Sequence, residues 1–488
     1  MAKVCWIISV LAILCGGCRT ADSAKVEHST RPQRVEVLKE ELRNVVRPPQ
    51  GTPESDSGIN LAAAEVIDPG NEVKAAASTL SLSQSISLGL AQNPDLIALR
   101  QTENVSSAVL GVAQTYPFNP FIQVQATPYQ NSKLDDHGTT YHYVLLMQTI
   151  QLAHQQQFRE EGAVSTLNST RWNILQAELQ NVAQTERLYF NVLYLRGILE
   201  LANASDQNNQ QLLRTLEKQL EAGQATAADV AIVRVDARST KQQVRLAKAN
   251  HETALRDFKR QLGISPDDPI NIDGDLRTFN WTIPSLGIMG MDTESDSGQR
   301  INVIASRAAA RPDVMAAHSD IDAARAAMGL ATASKTPDIQ IGPYYQRTAD
   351  GMSYLGFRGH MDLPVINSGR PLEQQRIAEY NQRVMGWQQL QRRAELEAQA
   401  AWERFEVAHS AVAEDATDGE TDLPKELESL ERQFLAGEVD VVRVVQARAS
   451  IIQNQRVRLD LLNEVAQSAA NLTAATAIPL EELLGQQK

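Results

Sequence analysis

The chain has 488 residues, a formal net charge of -13, 22% charged residues and only 5% aromatic residues. That acidic balance excludes a general nucleic-acid binder, which needs a cationic surface to displace counterions from phosphate. Frequent Ala and Gln with few aromatic residues suit long helices better than a layered α/β enzyme.

Residues 1–18 read as an export signal: Lys3, an apolar run from Val4 to Leu14, then small residues. The run is too short to span a bilayer. All three cysteines, Cys5, Cys15 and Cys18, fall in this segment, so the exported chain has no disulfide framework. Cys15-Gly16-Gly17-Cys18 resembles a bacterial lipoprotein processing site, which implies lipidation of Cys18; ordinary signal cleavage is the alternative. Cys15 stands where that pattern usually has Leu. Arg19 follows the acceptor, so the Asp that commonly signals inner-membrane retention is absent. No later segment holds 18 consecutive apolar residues, which leaves open strands of a membrane barrel, since these alternate.

Residues 19–79 carry Pro32, Pro48, Pro49, Pro53 and Pro69 and read as an extended lead-in. A first unit is expected over 80–282. Its first helix starts near Ser81, is interrupted at Asn93-Pro94 and runs to about Thr115. Strands follow at about 120–129 and 140–150. No proline occurs from Tyr129 to Ser265. A helix from about Gln151 to Ala222 would therefore extend for roughly 108 Å. After Gly223 a seam of Val230, Val233, Ala237, Thr240, Val244, Ala247, His251, Ala254 and Phe258 alternates intervals of three and four. That period specifies supercoiled helices, and Gly223 supplies the reversal between them.

A linker at 283–300 leads to a second unit over 301–478, followed by a tail at 479–488. Strands are expected at about 337–346 and 353–363. A seam then runs from Ile377 through Trp387, Ala394, Ala398 and Phe405 to Val412. The acidic stretch Glu414–Asp422 reads as a solvated loop. A last seam runs from Val441 through Val445, Arg448, Ile452 and Leu459 to Ala469, after a second turn at Gly437.

The two units are copies of one plan. LEKQLEAG (Leu216–Gly223) and LERQFLAG (Leu430–Gly437) match. Each glycine is preceded by a Pro-Asp pair, Pro94-Asp95 or Pro312-Asp313, about 125–129 residues upstream, and each pair by about 25 residues precedes a proline opening an alternating stretch, PFIQVQ or PDIQIG. Three landmarks in one order at one spacing mean an internal duplication. In the last strand Leu355, Phe357, Gly359, Met361 and Leu363 face one side, and Arg358, His360 and Asp362 the other. An apolar face on segments of this length fits strands crossing an outer membrane, with Gln340, Arg358, His360 and Asp362 lining a watery lumen. Four strands cannot close around a lumen, and open edges do not survive in lipid, so other subunits must complete them. A small soluble sheet capped by helices is the rival reading.

These landmarks, with TYPFNPFIQV, KTPDIQIG, LPVINSG, LYFNVL, AGQATAADV and AGEVDVVRV, resemble the TolC-type outer-membrane efflux protein family, from about Leu80 to Ile478. The resemblance implies a mostly α fold with a small β part: duplicated coiled-coil hairpins forming an α-barrel, and four strands per subunit in a trimeric 12-stranded β-barrel. It implies a homotrimer in outer-membrane lipid, reaching far into the periplasm. It also implies a periplasmic adaptor protein and an inner-membrane pump as partners. Adaptor contact carries over to Ala222, Gly223, Gln224 and Thr226, and to Ala436, Gly437, Glu438 and Asp440. Many members close the periplasmic end with acidic residues where this chain has Arg443 and Gln446, so an aspartate ring cannot form there. Asp229 is the repeat equivalent of Arg443, and the two are expected to pair near the closed gate, solvation of both being the alternative.

No HExxH, GxxxxGK or GxSxG motif is present, and the eight histidines lack metal-ligand spacing. Catalytic, cofactor and metal sites are all expected to be none. The expected function is a passive exit duct opened by an adaptor and driven by a pump. The alternatives are the duct of a one-step protein secretion system and a non-transporting periplasmic scaffold. The exported substrate is not legible.

Overall fold

The computed structural model describes residues 79–132, 135–284, 297–348, 350–417, 429–430, 432–434 and 439–484. The signal segment with Cys18, nearly all of the lead-in, most of the 283–300 linker, and Ala436, Gly437 and Glu438 lie outside these residues. A short strand β1 (Thr79–Leu80) precedes helix α1 (Leu82–Gln92). Ser81 and Gln84 form a reciprocal capping box that starts α1. Helix α2 (Pro94–Gln114) begins at once: Asn93 Oδ1 accepts from the Leu96 N–H at 3.0 Å, and Pro94 takes the first helical position, where a missing N–H costs nothing.

Strands β2 (Phe121–Ser132) and β3 (Asp135–Ile150) follow, then α3 (Gln155–Glu221) and α4 (Ala227–Leu262). Helix α3 has 67 residues, roughly 100 Å of rod. It starts a few residues later than the sequence suggests, because His154 at φ 59° turns the chain out of the strand. Strand β4 (Asn271–Ile272) pairs in parallel with β1. The plan then recurs as α5 (Ser297–Ala309), α6 (Pro312–Ala333), β5 (Ile339–Arg347), β6 (Ser353–Met361), α7 (Arg370–Thr417) and α8 (Val441–Thr476), with a terminal turn α9 (Leu480–Leu483). Helix, helix, strand, strand, long helix, long helix occurs twice, as the duplicated landmarks indicate. The fold class is mostly α with a small antiparallel sheet.

Helix α3 is the organising rod: it packs on α2, α4, α6 and α8, while α7 packs on α5, α6 and α8. Thus α2 and α4 flank one side of the subunit and α7 the other. The main core gathers Tyr189, Phe190, Phe258, Trp281, Trp402 and Phe405 with the alanine-rich seams of α7 and α8. Ala394, Ala398, Ala466 and Ala469 are fully buried, so the absent side-chain bulk lets the rods approach closely. Of the α4 seam, Val230, Val233, Ala237, Thr240, Ala247, Ala254 and Phe258 are buried; His251 is half-buried, and desolvation with Arg196 nearby lowers its pKa.

The glycines do definite work at the junctions. Gly263 ends α4 at φ 72°, where an added Cβ would sit 2.3 Å from the Gln92 carbonyl oxygen. The matching Pro-Asp openings differ in use. Where Asn93 caps its helix, buried Arg311 bridges Asp313 (2.6 Å) and Glu397 of α7 (2.9 Å).

Candidate lipid-facing sheet and helical tip

Among the described residues the larger sheet has the order β2-β3-β5-β6, antiparallel throughout. Its register sorts the side chains by face. Val124, Val144, Tyr345 and Leu355 stand in one cross-strand row. On that face lie also the pairs Ile122 with Leu146 and Pro343 with Phe357, and the row Ile150, Ile339 and Met361. Ile122, Val124, Leu355 and Phe357 are 66%, 64%, 73% and 80% exposed, so no part of the subunit covers this band. A row of Ala126, His142, Arg347 and Ser353 bounds it at one end. An uncovered apolar band with a polar border is unfavourable in water and suited to hydrocarbon.

The opposite face carries the row Gln125, Tyr143, Gln346 and Tyr354, the row Gln123, Leu145, Tyr344 and Gly356, and the row Thr149, Gln340 and His360. Arg358 stands on it too, paired with Gly342. Gln340, Arg358 and His360 are thus brought to one face. Asp362 lies just past the strand, with its Oδ1 3.3 Å from His360 Nε2. The face is not wholly polar: Leu145 and Met147 are buried beside Tyr143 and Tyr344. Arg358 reaches across β5 and donates to the Tyr143 hydroxyl at 3.1 Å. Gly342 is obligatory beside β3, since an added Cβ would lie 1.8 Å from the Leu146 carbonyl oxygen.

Among the described residues two strand edges are unpaired, β2 and β6. Helix α2 enters the sheet through β2, and β6 leaves it into α7. The open edges of the sheet and the two flanks of the helical layer therefore occur in the same order.

At the far end of α3 the chain reverses tightly. Gly223 adopts φ 74°, the Gln224 N–H donates to Gln219 O (2.7 Å) and the Gly223 N–H to Leu220 O (3.0 Å). This pair of bonds is a Schellman closure, which needs a left-handed residue at its centre. Thr226 then caps α4: its hydroxyl accepts from the Asp229 N–H at 3.2 Å, and Asp229 Oδ2 accepts from the Thr226 N–H at 3.0 Å. Ala222, Gly223, Gln224 and Thr226 are all exposed. Behind them Leu212, Leu216, Val230, Val233 and Val441 bury one another, joining this tip to the start of α8.

Asp229 and Arg443, expected to pair near the closed gate, both stand at this end of the rods. Within one subunit Asp229 is held by the capping box, and no ion pair between the two occurs among the described residues. Arg443 and Gln446 are exposed on the first turns of α8, whose backbone starts at Asp440. Asp440 occupies the position equivalent to Thr226 but makes no side-chain cap bond.

Two further features escaped the sequence reading. Arg448 Nη1 donates to the Asn208 carbonyl of α3 at 3.1 Å, linking the long rods in their polar middle. Glu186 is 1% exposed, and its pKa is raised to about 8, chiefly by burial. It follows Val182 and precedes Tyr189 and Leu193 at intervals of four, three and four. A charged residue at a seam position was the available signal.

Among the described residues no group of three or more His, Cys, Asp or Glu could hold a metal ion, and no helix is long and apolar enough to cross a membrane. No protein-family model matches the chain, and none of the curated proteins does. Solved structures do. The Campylobacter jejuni CmeC outer membrane channel is 15% identical at a TM-score of 0.64, over 91% of this chain and 96% of that one. The open-state Neisseria gonorrhoeae MtrE outer membrane channel is 15% identical at a TM-score of 0.63, over 82% and 89%. CusC, described for its folding and transmembrane channel formation, is 17% identical at a TM-score of 0.63, over 81% and 91%. The chain thus has the fold of these channels.

Proposed function

We propose that this chain is the outer-membrane exit duct of a tripartite efflux system, a passive channel of three identical subunits. The observation that carries the reading is the sheet with two unpaired edges and an uncovered apolar face. In lipid every backbone group must be bonded, so β2 of one subunit has to accept β6 of the next. The strand order makes that pairing antiparallel, and α7 of one copy then meets the α2 and α4 flank of its neighbour. Three copies give 12 strands, an up-and-down barrel wide enough for a water-filled path.

The rods then form the periplasmic tunnel, and Cys18 carries the lipid anchor. The exposed turn at Ala222, Gly223, Gln224 and Thr226, with its counterpart from Ala436 to Asp440, contacts a periplasmic adaptor coupled to an inner-membrane pump. Arg443 and Gln446 lie near the closing end, where Arg443 pairs with Asp229 of a neighbouring subunit. The chain contributes no chemistry of its own in this reading. Exit of a secreted protein through the same duct is the second reading within this fold. The apolar band argues against a periplasmic scaffold, which has no use for it.

Reconstitution into planar bilayers tests the proposal. Discrete ion currents from a species of three subunits are expected; a monomer that stays water-soluble and gives no current would overturn it.

A further inference from the structure

Among the described residues the inner sheet face carries few charges. Among its described side chains are Gln123, Gln125, Gln340 and Gln346, with Thr and Tyr between them, and Arg358 is the one permanent cation. Asp362, whose Oδ1 lies 3.3 Å from His360 Nε2, stands just past the end of β6. Arg358 has no carboxylate partner among the described residues; it donates to the Tyr143 hydroxyl at 3.1 Å. That bond crosses β5 diagonally, since Arg358 stands opposite Gly342 and Tyr143 opposite Gln346. The guanidinium is therefore fastened along the wall at one height, unneutralised, instead of extending into the path.

We propose that Arg358 sets the charge preference of the barrel section, favouring anionic and uncharged organic solutes over free metal cations. This rests on the duct reading above. Threefold symmetry places three Arg358 side chains at one level, and a low-dielectric lipid wall focuses their field into the water they surround. At low salt the Debye length, roughly 30 Å at 0.01 M, leaves that field unscreened across a narrow lumen. Tyr143 acts as a positioning residue that keeps the charge at the wall without discharging it.

The test is the reversal potential of the full-length protein in planar bilayers under a potassium chloride gradient at low ionic strength. The wild type should pass chloride in preference to potassium, on the order of threefold. Arg358→Gln should bring the ratio close to one, Arg358→Glu should invert it, and Arg358→Lys should retain it. Unchanged single-channel conductance in Arg358→Lys shows that the barrel still forms. A cation-preferring wild type, or an Arg358→Glu channel with the wild-type reversal potential, overturns the inference while leaving the duct intact. Absence of any current from the wild type overturns the duct reading and this inference with it.

Discussion

Glu186 gives the sharpest energetic test of this fold. It sits on α3 against Thr473 of α8, 1% exposed, with Oε2 lacking a hydrogen-bond partner. Burial dominates the rise of its pKa from 4.5 to about 8; Glu481 adds to it and Arg187 opposes it. The folded state therefore holds a proton that the unfolded chain releases above pH 4.5. At about 1.36 kcal/mol per pH unit, stability falls between pH 4.5 and 8 by up to about 5 kcal/mol per subunit, then levels off. Glu186→Gln keeps the shape and removes the titration. It should be within about 1 kcal/mol of wild type at pH 5 and clearly more stable at pH 8.5. Denaturant unfolding of the detergent-solubilised protein across that range measures the difference between the two curves. Two parallel curves would refute the argument, because a solvated or fully paired carboxylate produces no widening. The group is buried within one subunit, so the outcome does not depend on assembly.

Other consequences are equally direct. Gly342→Ala should abolish assembly, read as loss of the trimer band in native electrophoresis, because its Cβ has no space beside Leu146 O. Arg311→Ala should cost about 2–3 kcal/mol by denaturant unfolding, since it removes the partner of Asp313 and one of the two partners of Glu397; Arg311→Asn, copying the first repeat, should cost less by restoring a helix cap. Thr226→Ala should lose about 1 kcal/mol with the capping box, and Thr226→Ser should retain most of it. Single cysteine pairs scanned along β2 and β6 should cross-link between subunits into a covalent three-chain product; a product limited to two chains would refute ring closure.

The helical frame was legible because it rests on periodicity. Seven of the named α4 seam positions are buried, and the strand faces follow alternation directly. Boundaries were less so: His154 sits in the left-handed region at the point where its repeat partner in the fold, Gly369, does the same. Glycine announces that conformation and histidine does not. The capping role of Asp229 was not read from the repeat, because repeat equivalence says nothing of local competition. A carboxylate three residues after Thr226 meets its own helix start first. Glu186 and the Arg448 contact with Asn208 depend on which rods become neighbours, and that follows from tertiary packing.

The two unpaired edges also bear on how such a molecule is made. If the chain is the proposed duct, a lone subunit that has yet to meet lipid displays two strand templates and an apolar band to an aqueous compartment. The same surfaces that would define the proposed ring invite pairing with any other extended chain. Head-to-tail contacts that miss closure add subunits indefinitely. Synthesis therefore has to outrun self-association, and the level of free monomer becomes a quantity the cell must hold low. A carrier that occludes the β2 and β6 edges during transit would meet that need, and the rigid rods would already be folded while the sheet waits for its neighbours.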